Sequence, residues 1–145
     1  MLTLARNTLI LAAITACLAS AADKKVIHPK EFPQGRPFSP GILAGNTLYV
    51  AGQIGSDLKT GKVAEDFDAE VRQTLDNIGL ILKEAGMSFD NVVAANVFLT
   101  DIELFQRMNA VYTTYFKEQR PVRTTVGVSK LVGTARIEIN VIAVR

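Results

Sequence analysis

The segment spanning residues 119–127 carries the side chains best suited to bind a small anion. Pro121 ends the helical pattern before it, and the alternating residues behind the proline predict a strand. In that strand Arg123, Thr125 and Gly127 share one face, which has few bulky side chains. A guanidinium presents five donors in a rigid fork that matches a carboxylate. The pattern therefore predicts a site for a small anion at Arg123, with pairing to a neighbouring acid as the alternative.

A second charged side chain, Glu138, lies inside the apolar strand predicted over residues 136–144. An unpaired carboxylate is costly in such a strand, so one interpretation is a structural ion pair with Arg123 or Arg136. The other is a chemical role. Because two consecutive strands carry opposite charges on the same inferred face, a hairpin would bring Arg123 and Glu138 close together.

Composition excludes several other kinds of site. The 145-residue chain has one histidine, His28, and one cysteine, Cys17, which leaves no intrachain disulfide and no His/Cys metal cluster. Sixteen basic against fourteen acidic residues give a net charge of +2 without a basic stripe, so no nucleic-acid partner is expected. Nucleotide-binding loops and the serine-hydrolase elbow are missing from the sequence. Asn109 and the three tyrosines are most simply surface, core or interface residues.

Residues 1–21 resemble a signal peptide. Arg6 precedes an apolar run over residues 8–18, which is too short to span a membrane, and Ala19-Ser20-Ala21 offers a cleavage site. The residues ending at Cys17 also resemble a lipobox, so lipidation there is an alternative, as is a buried N-terminal helix. We therefore expect an exported protein, periplasmic or secreted, with no membrane contact unless Cys17 is lipidated.

The rest of the chain predicts one α+β domain behind an N-terminal arm at residues 22–36. Strands are predicted at 41–44 and 47–53 around a Gly45-Asn46 turn, and later at 92–99, 122–129 and 136–144. A helix over 66–85 has a long apolar stripe and ends at Gly86, and Thr100 with Glu103 forms a capping-box pattern that opens a second helix. Both helices should cover one face of the sheet. The other face mixes polar and apolar side chains, which indicates self-association.

Five segments in order resemble the Rid/YjgF family, the reactive intermediate deaminases. The resemblance covers about residues 37–145. The matching stretches are residues 45–54 (GNTLYVAGQI), 73–78 (QTLDNI), 97–101 (VFLTD), 120–125 (RPVRTT) and 137–139 (IEI).

The resemblance implies a homotrimer of chorismate-mutase-like domains. Each would have one mixed sheet with two helices on one face, and the three sheets would form a central barrel with clefts between subunits. It also implies hydrolysis of 2-imino acids and their enamine tautomers to 2-keto acids and ammonia, without a metal or cofactor. Arg123 would hold the substrate carboxylate, Glu138 would activate water, and Gly52 and Asn109 would lie at the cleft.

Some positions depart from the family pattern. Phe38 stands where a tyrosine is common, Ala51 replaces a serine, and Asn140 replaces a second acid. We expect Phe38 and Thr125 to contact the substrate, in a pocket less polar than is usual for the family. Two other functions stay open: a trimer that binds small carboxylates or protects proteins without catalysis, and an endoribonuclease.

Overall fold

The structure, a computed structural model, describes residues 23–145. The predicted signal peptide, with Cys17, lies outside these residues. Within residues 23–145 no helix is long and apolar enough to cross a membrane. The elements are β1 (Lys24–Ile27), β2 (Gly41–Ala44), β3 (Thr47–Ile54), α1 (Phe67–Glu84), β4 (Val92–Leu99), α2 (Phe105–Tyr115), β5 (Val122–Gly127) and β6 (Ile137–Val144).

The six strands form one mixed sheet in the order β1-β2-β3-β6-β4-β5. All neighbouring pairs are antiparallel except β4 and β5, which are parallel. Alternate residues of β6, from Ile137 to Ala143, are buried beneath the helices, while the residues between them lie on the face that no helix covers. We call that second surface the open face. The predicted α+β fold, one mixed sheet with two helices, is confirmed.

Helix α1 begins and ends as its sequence predicts. The Asp66 carboxylate accepts a hydrogen bond of 2.8 Å from the Ala69 amide, and the same bond lowers the pKa of Asp66. At the other end, Gly86 has a φ of 70° and its amide donates to the Lys83 carbonyl at 2.9 Å. The predicted stripe is buried throughout, at Phe67, Val71, Leu75, Ile78, Leu82 and Ala85.

The capping box predicted at Thr100 and Glu103 is wrong. The Asp101 carboxylate accepts from the Glu103 amide at 3.0 Å and opens a single 3-10 turn, after which α2 begins at Phe105. The amide of Thr100 donates instead to the Arg136 carbonyl, so this residue still extends the β4–β6 pairing. Asp101 caps the turn because its short side chain reaches the first free amide.

The segment predicted as an N-terminal arm, residues 22–36, includes an edge strand, because residues 24–27 form β1 along β2. Ile27 and Phe32, both assigned to the arm from sequence, lie in the hydrophobic core. The pairing supplies hydrogen-bond partners for the backbone at the outer edge of β2, which would otherwise be free. The arm is therefore part of the domain.

Candidate active site in two halves

Glu138 lies on the open face of β6, where its carboxylate packs against the backbone of Gly52 in β3. A Cβ atom at Gly52 would overlap Glu138 Oε1 and would lie 2.9 Å from the carboxyl carbon, so any other residue here would displace the carboxylate. Both residues line a cavity of about 390 Å³ whose wall is largely apolar and includes Phe38, Leu58 and Val132. We call Glu138, Gly52 and Phe38 the glutamate half-site.

The Glu138 carboxylate forms no ion pair within residues 23–145. Arg136, one of its two expected partners, binds Glu70 instead: Nε lies 2.7 Å from Glu70 Oε2, and the Arg136 amide donates to Glu70 Oε1 at 2.6 Å. Glu70 is fully buried and joins α1 to the start of β6. Its position three residues after Phe67, next to the apolar stripe, is the signal that sequence reasoning missed.

Arg123 lies on the other side of the sheet, beneath α2. Its guanidinium carbon is 4.6 Å from the ring centre of Tyr112 and 5.6 Å from that of Phe105, and Nη1 is 3.9 Å from Met108 Sδ. Arg123, Tyr112 and Asn109 line a cavity of about 440 Å³, together with Thr113, Arg120 and Pro121. We call Arg123, Asn109 and Tyr112 the arginine half-site.

Two buried hydroxyls belong to this region. Tyr112 Oη and Thr125 Oγ1 have no hydrogen-bond partner among the described residues. Burial raises the pKa of the Tyr112 phenol, and the nearby positive charge of Arg123 opposes that rise. Thr125 shares the helix-covered face with Arg123, although it does not line the cavity. Arg123 has no acid partner within residues 23–145, so its guanidinium is suited to an anionic ligand.

The expected hairpin between Arg123 and Glu138 is wrong, because β4 lies between their strands. Arg123 aligns with Ala95, which in turn aligns with buried Val141, so Arg123 faces the helices. Glu138 aligns with Phe98 in the alternate row, on the open face. One protomer therefore holds the two charges on opposite faces of its sheet.

The open face carries exposed apolar side chains. Val122 and Val126 of β5 are 73% and 39% exposed, and Tyr49 of β3 is 50% exposed. In the middle of the face, Asn96 Nδ2 donates to Asn140 Oδ1 at 2.9 Å. An apolar surface of this kind, with only a few polar groups, is typical of a subunit interface.

The chain resembles known proteins along almost all of its described length. The family model described as Endoribonuclease L-PSP matches residues 29–145. A RutC family protein of Sulfurisphaera tokodaii is 49% identical over 107 residues, covering 73% of this chain and 86% of that protein. The human 2-iminobutanoate/2-iminopropanoate deaminase is 41% identical over 128 residues, covering 87% of this chain and 93% of that protein.

Solved structures have the same fold. The YjgF gene product of E. coli superimposes with a TM-score of 0.79 at 37% identity, covering 83% of this chain and 98% of that one. E. coli TdcF with bound serine superimposes with a TM-score of 0.79 at 32% identity, covering 83% and 99%.

The relatives correct one prediction and establish another. A periplasmic protein was predicted, but several of the relatives come from archaea such as Pyrococcus horikoshii and from mammals, which have no bacterial periplasm. The relatives therefore give no support to the periplasmic assignment, and we withdraw it. The predicted family is confirmed by the model match and by the relatives. The chain belongs to the Rid/YjgF family.

Proposed function

We propose that the protein hydrolyses small 2-imino acids and their enamine tautomers to 2-keto acids and ammonia. The observation that carries the proposal is a pair of charged groups without ion-pair partners in residues 23–145. Arg123 lies beside one cavity and Glu138 beside another. A free guanidinium suits the substrate carboxylate, and a free carboxylate suits proton transfer.

The two half-sites lie on opposite faces of one sheet, so we propose that they meet between subunits. Proteins of this family are generally homotrimers. In such a trimer, Arg123 of one subunit would face Glu138 of the next, and the exposed valines of β5 would be buried. The small substrate would then lie in a cleft that no single protomer contains.

Within that cleft the reaction needs only orientation and proton transfer. Arg123 binds the carboxylate and thereby fixes the neighbouring imine carbon, which is electrophilic when its nitrogen is protonated. Glu138 accepts a proton from water as the oxygen bonds to that carbon. It then returns the proton to nitrogen. As the carbon–nitrogen bond breaks, the new hydroxyl forms the carbonyl and gives its proton to Glu138, so ammonia leaves a 2-keto acid. Phe38, Leu58 and Val132 give the substrate side chain an apolar wall.

Relatives support this chemistry. The human relative is named for deamination of 2-iminobutanoate and 2-iminopropanoate. The E. coli TdcF structure contains serine, which carries the same α-carboxylate as a 2-imino acid. A site that accepts a small α-carboxylate is therefore consistent with proteins at 32–41% identity.

The test is release of 2-keto acid while an amino acid oxidase generates the imine. We expect acceleration by the wild type, a KM about tenfold or more higher for Arg123→Ala from loss of a charge-assisted contact, and a kcat about tenfold or more lower for Glu138→Gln. Arg107→Ala and Glu84→Gln remove exposed charges elsewhere on the helices and should behave as the wild type. If the wild type binds 2-keto acids without accelerating hydrolysis, the protein is a carboxylate binder and the enzymatic proposal fails.

An endoribonuclease is the second candidate, because the matching family model carries that description. A net charge of +2 offers little attraction for a phosphate backbone. The decisive measurement is cleavage of a labelled single-stranded RNA by protein purified free of nucleases. Cleavage that Glu138→Gln abolishes would favour this candidate over the deaminase.

A further inference from the structure

Arg123 lies beside two aromatic rings and has no acid partner within residues 23–145, whereas Arg107 and Arg136 each lie beside one ring, that of Phe67, and also pair with an acid. Arg107 pairs with Asp66 and Asp68, and Arg136 pairs with Glu70. Around Arg123 the neighbours are the rings of Tyr112 and Phe105 and the sulfur of Met108. Its environment is therefore apolar and polarisable, without a negative charge.

An aromatic face attracts a guanidinium without neutralising it. A carboxylate in the same place would occupy the N–H donors that a substrate needs. The guanidinium carbon of Arg123 lies 4.6 Å from the centre of the Tyr112 ring, and Nη1 contacts Met108 Sδ. Within residues 23–145 no carboxylate pairs with the guanidinium, so donors stay available to an anionic ligand.

The Tyr112 phenol lies near the Arg123 side chain, which opposes the rise of the phenol pKa on burial. Tyr112 Oη is buried and has no hydrogen-bond partner within residues 23–145, which disfavours tyrosine in a simple core role. By contrast Tyr115, one turn later on α2, donates to Asp76 at 2.8 Å. The ring of Tyr112 contacts Arg123 and stacks on Phe116.

We propose that Tyr112 is a positioning residue that holds the Arg123 guanidinium ready for the substrate carboxylate, with Phe105 as the weaker second contact. The inference rests on the proposed function for the identity of the ligand. The ring restricts the long arginine side chain before binding, so less conformational entropy is lost when the carboxylate arrives.

Three variants distinguish the effect of the Tyr112 ring from the effect of its hydroxyl and from the effect of losing aromatic packing elsewhere on α2. Tyr112→Phe keeps the ring and should change KM, kcat and the affinity for 2-oxobutanoate, measured by calorimetry, much less than Tyr112→Leu does. Tyr112→Leu should raise KM and Kd about three- to thirtyfold while changing kcat less than about twofold. Tyr115→Leu removes an aromatic ring of α2 that packs on Phe89 and should leave KM unchanged. Equal KM increases in Tyr112→Leu and Tyr115→Leu would overturn the proposal.

A direct readout is the mobility of the Arg123 Nε–H bond, measured by 15N relaxation without any ligand. We expect an ordered bond in the wild type and in Tyr112→Phe, and a mobile one in Tyr112→Leu. Phe105→Leu removes the more distant ring and should give an intermediate result, which keeps the test available if Tyr112→Leu does not fold. Equal mobility in all the folded proteins would overturn the proposal.

The two proposals can fail separately. If the wild type binds no 2-oxobutanoate, the proposed function is refuted. If Arg123 is nevertheless ordered in the wild type and mobile in Tyr112→Leu, the positioning role of Tyr112 is supported. Wild-type affinity in Tyr112→Leu, together with lost affinity in Arg123→Ala, would support Arg123 as the clamp and refute the role of Tyr112.

Discussion

The Glu138 carboxylate occupies the space that a side chain at position 52 would need, and Gly52 leaves that space free. The two residues come from adjacent antiparallel strands, β3 and β6, at a place where the register between them shifts. This irregularity lets the carboxylate approach the backbone of β3. At the scale of single residues, the position of the Glu138 carboxylate therefore depends on the absence of a Cβ atom at position 52.

We predict that Gly52→Ala inactivates the protein without unfolding it. The new methyl group must displace the Glu138 carboxylate, so 2-keto acid release should fall about tenfold or more. Gly79→Ala is the matched control, since its Cβ would meet only the ring edge of Phe89 at 3.3 Å, in helix α1. The assay is keto-acid release, with thermal melting to verify folding. Full activity in Gly52→Ala would show that the position of Glu138 is unimportant.

Thr125 provides a second test at this scale. Its buried Oγ1 has no partner in residues 23–145, so Thr125→Val should be neutral or slightly stabilising in the absence of ligand. If the hydroxyl contacts the substrate, the variant should bind 2-oxobutanoate about three- to tenfold more weakly. Calorimetry and urea unfolding measure the two effects. Unchanged affinity would remove Thr125 from the predicted site.

At the scale of elements, the contact between Glu70 and Arg136 fixes helix α1 to the beginning of β6. Glu70 accepts from both the side chain and the backbone of Arg136, two residues before Glu138. The helix is also aligned by its cap at Asp66 and by its buried stripe. A single buried acid thus joins the helical layer to the strand that carries the proposed acid–base group.

We predict that Glu70→Gln lowers the free energy of unfolding by about 2–3 kcal/mol. This is below the loss for fully buried pairs, because the Arg136 side chain is 34% exposed and water screens its charge. Arg107→Gln breaks exposed pairs on the helix surface and should have a far smaller effect. Urea unfolding of both variants is the measurement, and equal losses would contradict the structural role assigned to Glu70.

At the scale of the whole molecule, Arg123 and Glu138 point away from each other across one sheet. The open face carries exposed apolar side chains that a partner sheet could bury. Both features are explained by the proposed trimer, in which each cleft takes one half-site from each of two neighbouring subunits.

Mixed trimers test that arrangement. At substrate concentrations below KM, Arg123→Ala and Glu138→Gln should each have about a tenth of wild-type activity or less. Subunits of both kinds, unfolded together and refolded in equal amounts, should regain about one quarter of wild-type activity. The recovery follows because one cleft in four receives Arg123 from one subunit and Glu138 from its neighbour. Sedimentation would verify the trimer. No recovery in verified mixed trimers would mean that both groups of a cleft come from one subunit.

Local patterns were sufficient to predict most elements. Side-chain periodicity and turn chemistry, which act over a few residues, were enough to predict the stripe of α1, its end at Gly86, the Gly45-Asn46 turn and five of the six strands. Strand β1 was missed because a polar edge strand has no strong alternation, and its pairing with β2 depends on a distant segment. Strand pairing also explains why Asp101 caps the turn and Thr100 does not, because the Thr100 amide is hydrogen-bonded to the Arg136 carbonyl.

Of the candidate site, too, the sequence predicted one part and the tertiary structure decided the other. By itself the sequence determined which residues could do the chemistry, since Arg123, Glu138, Gly52 and Asn109 were identified from residue type, strand periodicity and family resemblance. Only the tertiary structure decided which of them lie together: Arg123 with Asn109, and Glu138 with Gly52. The physical reason is that alternation separates the two faces of a strand, whereas strand order and the covering helix decide which face points where.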